Sequence, residues 1–223
     1  MLQTILLTIQ VAVLAVVLAL PIAVAGGYLL ARWQHPLRWL VETVLLLPLV
    51  VPPVVTGYLL LVVFGRGGWL GGLLERVGIR FAFDWKGAVL AAAVVSLPLM
   101  VRAARQAFAS TDPRLEWAAR SLGAGPWDAF RTVTLPLAWR GILSGAVLGF
   151  ARSLGEFGAT IMIAGNIPGE TRTIPLAIFA EVQRPGGLQG AALLVVLAIT
   201  LSAVALAGSE WLERRGQTDA PVV

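Results

Sequence analysis

The chain has 223 residues, of which 58% are hydrophobic and only 13% are charged, and it contains no cysteine. This composition indicates an integral membrane protein and excludes a disulfide framework and a thiolate metal site. The net charge of +5 fits an excess of arginine in cytoplasmic loops, so binding to nucleic acid is not expected.

Two apolar stretches open the chain. Residues 5–30 are long enough to cross a hydrocarbon core of about 30 Å with some tilt, and we expect an uncleaved span rather than a signal peptide. Residues 40–64 form the second stretch and contain Pro48, Pro52 and Pro53. Each proline removes a backbone donor, so this span should be broken or strongly bent. The bend serves either packing or the shaping of a pathway.

A mixed loop and a third apolar stretch follow. In the loop, residues 70–77 are a candidate for a short interfacial helix, and Trp69 is suited to the headgroup region of the membrane. Residues 87–107 form the predicted third span. Arg102 and Arg105 near its end can extend their charged heads to cytoplasmic headgroups.

The longest polar interruption, residues 111–136, contains two short helix signals. The Asp-Pro dipeptide at 112–113 can cap and start a helix, because proline needs no N–H at the first helical position. The Gly-Ala-Gly sequence at 123–125 should end that helix, because glycine adopts positive φ without strain. Pro126 should start a second helix and Pro136 should end the segment. Such a compact element between two spans is typical of a docking site for a soluble partner.

Two further spans complete the predicted membrane domain. They cover residues 137–163 and 188–207, and the outer loop between them contains residues 174–182, which are too few to cross the membrane. The prediction is therefore an all-α polytopic protein with about five spans. Residues 1–215 would form one transmembrane domain and residues 216–223 a flexible tail.

The fourth predicted span contains two charged side chains, Arg152 and Glu156, at a spacing of four residues. On a helix they share a face and can pair. An arginine at midspan costs at least about 2.5 kcal/mol, so the pair should face protein or water. With Ser153 and Thr160 nearby, the pair is a candidate for a gate on an anion pathway. The alternative is an ion pair that only holds helices together.

The distribution of basic residues predicts the orientation of the chain. With five spans, the side that holds residues 111–136 and the C-terminus carries ten lysines and arginines, and the other side carries six. Cytoplasmic loops are enriched in these residues. Residues 111–136 and the C-terminus are therefore expected in the cytoplasm, and the N-terminus outside.

Catalytic motifs are missing from the sequence. The single lysine, Lys86, does not stand in a G-x-x-x-x-G-K-[ST] phosphate-binding loop, so ATP binding by that motif is excluded. The single histidine, His35, lies in a predicted loop, and no G-x-S-x-G motif is present. A metal site and a serine hydrolase are not expected. Glu156 is the only acidic residue expected at midspan, which excludes a carboxylate pair for proteolysis.

Residues 111–136 resemble the EAA loop of permease subunits of ABC importers. The residues that carry this resemblance are Glu116, Ala118, Ala119 and Gly123, followed by Leu-Pro at 135–136. We call residues 111–136 the EAA loop below. In that family the loop is cytoplasmic and lies in a cleft of the ATPase subunit.

Three further strings resemble the molybdate permease subfamily. They are LPLVVPPVVTGYLLLVVFGR at 47–66, FARSLGEFGAT at 150–160 and NIPGETRTIP at 166–175. The resemblance spans nearly the whole chain. It implies the type I ABC importer permease fold, located in the cytoplasmic membrane of a prokaryote.

The resemblance also implies partners and roles. A second copy of the chain would complete the pathway, two cytoplasmic ATPase subunits would bind ATP and Mg²⁺, and an extracytoplasmic binding protein would deliver molybdate or tungstate. The chain itself would hold no cofactor and would not be an enzyme. Of the coupling residues, Ala118 and Ala119 would let the loop seat, Gly123 would form its corner, and Glu116 would cap a helix or pair with an ATPase cation.

Two rival interpretations remain at this stage. The first keeps the architecture and changes the substrate to sulfate or another oxyanion. The second is a self-contained channel or secondary carrier, which would conduct anions without an ATPase.

Overall fold

The computed structural model describes the backbone of residues 1–218 and the side chains of residues 1–208 and 210. Every regular element within this range is helical. The helices are α1 (Leu2–Arg32), α2 (Arg38–Val50), α3 (Pro53–Phe64), α4 (Trp69–Arg76), α5 (Trp85–Ala109), α6 (Pro113–Ser121), α7 (Pro126–Ala129), a π-helical turn (Phe130–Thr134), α8 (Leu135–Leu154), α9 (Gly158–Ile163), α10 (Ile174–Val182) and α11 (Leu188–Thr218).

Up to five membrane spans can be counted in the described part of the chain. Four helical segments are long and apolar enough to cross: α1, α5, the continuous segment Pro126–Leu154, and Leu188–Gly208 within α11. The bent pair of α2 and α3 makes a fifth if it counts as one span. The prediction of an all-α membrane protein with about five spans is confirmed.

The second span is broken, as its prolines predict. The chain bends by 110° between α2 and α3. Val51 has extended backbone, and Pro53 is the first residue of α3. Because Pro52 and Pro53 have no N–H, the break leaves few donors without a partner. Pro48 lies inside α2 without ending it.

Helix α5 lies at the centre of the bundle and packs most extensively along α1. The contacting side of α1 carries Ala15, Ala19, Ala23 and Gly27, all buried and spaced by four residues. Small side chains at this spacing let two helix backbones approach closely, which is how helices associate in a membrane. A β-carbon on Gly27 would lie only 2.6 Å from the β-carbon of Ala104.

The fourth span differs from its prediction at both ends. The helix does not end at Pro136, because the π-helical turn before it shifts bonding to a spacing of five, from the Leu135 N–H to the Phe130 carbonyl. This wider turn accommodates a proline that would otherwise clash with the preceding turn. At the other end, α8 stops at Leu154 instead of continuing to residue 163.

The C-terminal helix continues past the fifth span. The span within α11, Leu188–Gly208, matches the predicted 188–207, but the helix itself continues to Thr218, into the predicted flexible tail that begins at 216. Leucine, glutamate and arginine in this extension favour helix. The remaining part of the predicted tail, residues 219–223, lies outside the described residues.

The contact between α1 and α5 predicts a sharp difference between two adjacent glycines. In Gly27→Ala, the new methyl group would also lie 2.8 Å from the backbone nitrogen of Arg105, so the helices must separate. Overpacking of this kind costs about 1–3 kcal/mol. We expect a lower midpoint of thermal unfolding in detergent than for the matched control Gly26→Ala.

Gly26→Ala is a suitable control because its nearest new contact is the flexible end of Leu45, at 3.3 Å. Both variants gain the same helix propensity, so this gain cancels in the comparison. Equal midpoints for the two variants would contradict the close approach of α1 and α5.

Candidate functional site

The EAA loop has the helix–glycine–helix form that its sequence predicts. Asp112 caps α6, and its Oδ1 accepts a hydrogen bond from the Arg114 N–H at 2.9 Å. The helix ends before Gly123, which has φ of +98°, a conformation that glycine adopts without strain. Pro126 then starts α7. The predicted corner at Gly123 is confirmed.

Glu116 ties the EAA loop to the membrane helices of its own chain. Its Oε1 accepts a hydrogen bond from the Tyr28 hydroxyl of α1 at 3.2 Å, and its Oε2 accepts one from the Thr134 hydroxyl at 2.9 Å. Thr134 belongs to the π-helical turn and is only 2% exposed. The carboxylate therefore links α6 to α1 and to the π-helical turn in the continuous segment Pro126–Leu154. The sequence does not predict this link, since Tyr28 lies 88 residues from Glu116.

An aromatic cluster holds the Tyr28 ring beside this carboxylate. The ring meets Phe108 and Phe130 edge-to-face, with centroids 5.4 Å and 4.9 Å away. Phe108 is fully buried, and Phe130 stacks on Trp127 at 5.4 Å. Edge-to-face and offset contacts are the favoured geometries for aromatic pairs. The cluster joins α1, α5 and the EAA loop into one packed unit.

The rest of the EAA loop is largely exposed, and it carries large apolar side chains among its charged ones. Ala118 and Gly123 are exposed and Ala119 is half-buried. Around them stand the exposed large side chains Leu115, Trp117, Leu122 and Trp127. Leu122 is 90% exposed. Exposed apolar side chains concentrated on one short polar segment indicate a contact surface for another protein. These side chains were not among the predicted site residues. Their occurrence within a polar segment is the feature by which the sequence could have indicated a contact surface.

Arg152 and Glu156 pair as predicted, but they do not share a helix. The distance from Arg152 Nη1 to Glu156 Oε2 is 3.0 Å. Glu156 lies in the break after α8, where its Oε1 also accepts a hydrogen bond from the Ala159 N–H at 2.8 Å. The Glu156 side chain is 3% exposed and that of Arg152 is 31% exposed. A buried carboxylate is thus stabilised both by a cation and by the first turn of α9.

The two other predicted residues lie close by and are buried. The Ser153 hydroxyl donates to the Gly149 carbonyl of its own helix at 2.8 Å. Thr160, on α9, is 1% exposed. The fold therefore gathers these two residues and the ion pair at the break, although the hydroxyl of Ser153 is engaged within α8.

The break in the fourth span adjoins the break in the second. A β-carbon on Gly158 would lie 3.0 Å from the β-carbon of Pro53, and one on Gly57 would lie 2.5 Å from the Ala159 carbonyl oxygen. Helices α3 and α9 therefore pack backbone to backbone. Gly57 and Gly158 are packing notches here, and they place the ion pair beside the bend between α2 and α3.

A second ion pair in the membrane region was not predicted. Glu42 of α2 pairs with Arg105 of α5, and both side chains are about one-third exposed. Glu156 was the only acidic residue predicted at midspan. Glu42 lies near the start of the predicted second span and was therefore not included. The partners are 63 residues apart, so local spacing gives no signal. Since α2 has no buried residue, this pair is a main polar link between α2 and the bundle.

Residues 20–217 match the family described as "Binding-protein-dependent transport system inner membrane component". The chain belongs to this family. It is 56% identical to the "Molybdenum transport system permease protein ModB" of Escherichia coli (strain K12), over 95% of this chain and 93% of that protein. It is 51% identical to the protein of the same name from Haemophilus influenzae, over 95% of this chain and 93% of that protein. A more distant relative is the "Sulfate transport system permease protein CysW" of Synechococcus elongatus, which is 39% identical over 79% of this chain and 62% of that protein.

Solved transporters share the fold of this family member. A bacterial alginate ABC transporter matches with a TM-score of 0.71 and 18% identity, over 96% of this chain and 78% of that one. The MetNI methionine ABC transporter, in inward-facing conformations, matches with a TM-score of 0.67 and 17% identity, over 95% of both chains. At such low identity these likenesses establish the ABC importer permease fold, which is the predicted fold class.

Removing the cation of the buried pair should destabilise the permease strongly. In Arg152→Met, the carboxylate of Glu156 would remain buried without its counter-charge, at a cost of about 3 kcal/mol. We expect a clear fall in the thermal midpoint in detergent. The double variant Arg152→Met/Glu156→Gln should recover most of it, because glutamine can still accept from the Ala159 N–H.

A matched control is Arg184→Met, which removes the cation of the Arg184–Glu181 pair at 2.8 Å. The Arg184 side chain is 61% exposed, and exposed pairs contribute about 0–1 kcal/mol. A loss in Arg152→Met no larger than in this control would show that the first pair is not a stabilising element.

Proposed function

We propose that this chain is the transmembrane permease subunit of an ATP-driven ABC importer that moves molybdate across the cytoplasmic membrane. The observation that carries the proposal is the 56% identity, over 95% of the chain, to a permease named for molybdenum transport. The exposed apolar side chains of the EAA loop support it, because such side chains on a polar segment are typical of a contact with another protein. Tungstate is a second candidate substrate of the same shape and charge.

The proposed cytoplasmic partners are two ATPase subunits, which bind ATP and Mg²⁺. The exposed side chains of the EAA loop would dock in the ATPase, with Ala118 and Ala119 allowing close approach. Gly123 would set the corner that presents this face. Closure of the ATPase pair would then move the EAA loops and switch the permease between inward-facing and outward-facing states.

The pathway is proposed to lie between two copies of the chain. Helix α2 has no buried residue, so its surface is free to meet a second copy or lipid. The two adjoining breaks place Arg152, Ser153, Glu156 and Thr160 together near the bend that precedes α3. With its guanidinium partly exposed and its charge retained, Arg152 is suited to an oxyanion path, and the ion pair would act as a gate.

The proposed orientation places the EAA loop and the C-terminus in the cytoplasm and the N-terminus outside. The distribution of basic residues supports it. The extracytoplasmic binding protein would then deliver its anion on the side of the loop between α9 and α11. The family description, which names a binding-protein-dependent system, supports a partner of this kind.

A third candidate substrate is sulfate, which is supported by the 39% identity to the sulfate permease CysW. Sulfate and molybdate are both tetrahedral dianions, so the charges of the permease do not separate them. A channel or secondary carrier is favoured by no observation in the structure.

The proposal predicts transport that depends on all components. Permease, ATPase and binding protein reconstituted in liposomes should accumulate labelled molybdate when ATP is supplied, and should accumulate none when the ATPase is omitted. Excess sulfate should compete weakly. Anion flux without the ATPase would indicate a channel or carrier, and equal accumulation of sulfate would indicate a broader oxyanion permease.

The corner of the EAA loop gives a second prediction. Gly123 and Gly125 both have open space where a β-carbon would stand, but only Gly123 has positive φ. Alanine at Gly123 should cost about 1–2 kcal/mol in that conformation and distort the corner. We expect Gly123→Ala to reduce ATP-driven uptake several-fold at normal membrane insertion, and Gly125→Ala to transport like the wild type. Equal uptake by both variants would contradict the role of the corner.

A further inference from the structure

We propose that Tyr28 and Thr134 are positioning residues, which hold Glu116 against its own chain so that the EAA loop and α1 move as one body. The inference rests on the proposed function as a coupled importer. It assigns Glu116 to transmission of movement inside the permease rather than to binding of the ATPase.

The geometry of the carboxylate points to this assignment. Each of its two oxygens accepts a hydrogen bond from a hydroxyl of this chain, Tyr28 on one side and Thr134 on the other. Hydrogen bonds to an ionised group are stronger than those between neutral groups. Glu116 is half-buried, and its carboxylate is directed at α1 and the π-helical turn. Each oxygen therefore has one hydrogen-bond donor within its own chain.

Docking and transmission then fall to different side chains of the EAA loop. The exposed apolar side chains defined above include Trp117 and Trp127, and tryptophan is among the residues that most often anchor a protein contact. Glu116 faces inward and has the polar contacts that fix the loop to its own helices. Loss of the inward contacts should leave the docking face intact, which makes the two roles separable by experiment.

Helix α1 extends from the EAA loop to the far side of the bundle. It is continuous over 31 residues, a length of about 46 Å. Near its other end, the buried Thr8 hydroxyl oxygen accepts a hydrogen bond from the Ile174 N–H, at the start of α10, at 2.9 Å. One continuous helix thus contacts the EAA loop at one end and the loop opposite at the other. Coupling between distant sites can be carried by a packed secondary element of this kind.

The test uses variants that remove a hydroxyl and keep the shape. In Tyr28→Phe and Thr134→Val, measured as reconstituted permease–ATPase complex with binding protein, we expect molybdate accumulated per ATP hydrolysed to fall about three- to tenfold. The affinity of the permease for the ATPase should stay within about twofold of the wild type, because docking lies on the other face. Thr134→Ser keeps the hydroxyl and should restore the wild-type ratio.

The control is Thr200→Val, which removes an exposed hydroxyl that bonds only to its own helix, at the Val196 carbonyl. A double variant decides whether Tyr28 acts through Glu116. If it does, Tyr28→Phe/Glu116→Gln should transport no worse than Glu116→Gln alone. Additive losses would show that Tyr28 acts independently.

Two results would overturn the inference. The first is an unchanged ratio of uptake to ATP hydrolysis in both Tyr28→Phe and Thr134→Val. The second is a parallel loss of ATPase affinity in these variants, which would make Glu116 part of the docking surface. Failure of the proposed function would be recognised separately, because the wild-type complex itself would then show no ATP-driven uptake.

Discussion

Every backbone N–H and C=O that enters hydrocarbon must find a partner within the protein, and the whole structure follows from this constraint. Long helices satisfy it internally. Where a span is broken, the break has to lie against another part of the protein. The breaks before Pro53 and after Leu154 meet this requirement together, because α3 and α9 pack closely at Gly57 and Gly158. The carboxylate of Glu156 supplies a further acceptor to the first turn of α9. The two breaks bring the buried carboxylate of Glu156 and its partner Arg152 next to the bend before α3. The proposed anion path lies there.

The EAA loop is subject to a different constraint. To act as a docking element, it needs some side chains fixed to its own chain and others accessible to a partner. Its inner face is fixed by Glu116 and by the aromatic cluster of Tyr28, Phe108 and Phe130. Its outer residues include Leu115, Trp117 and Leu122, whose large apolar side chains are exposed. A loop that transmits force needs both faces, because a partner can only move the membrane helices if the loop is firmly attached to them. The division between contacts within the chain and exposed side chains gives a physical basis for the proposed coupling to an ATPase.

Where prediction and structure differ, proline and glycine in specific surroundings explain the difference. Pro136 was expected to end a segment, yet a π-helical turn lets the helix continue through it. In contrast, Gly155 lies within the predicted fourth span and the helix ends there. Both residues disfavour a regular helix, but the surrounding backbone decides the outcome: a wider turn accommodates Pro136, whereas no such turn carries the helix past Gly155. The pairing of Glu42 with Arg105 was overlooked for a different reason, since it joins helices that are far apart in sequence.

The sequence by itself determined the class of protein, the helical spans, the broken second span and the corner at Gly123, because hydropathy, proline and positive-φ glycine act locally. It also indicated the family, through the EAA loop and three further strings. Only the tertiary structure decided which side chains meet. It brought Tyr28 and Thr134 to Glu116, placed the Arg152–Glu156 pair beside the bend in the second span, and left one face of the EAA loop apolar and exposed. These contacts depend on helices packed from distant parts of the chain, and no periodicity in the sequence specifies them.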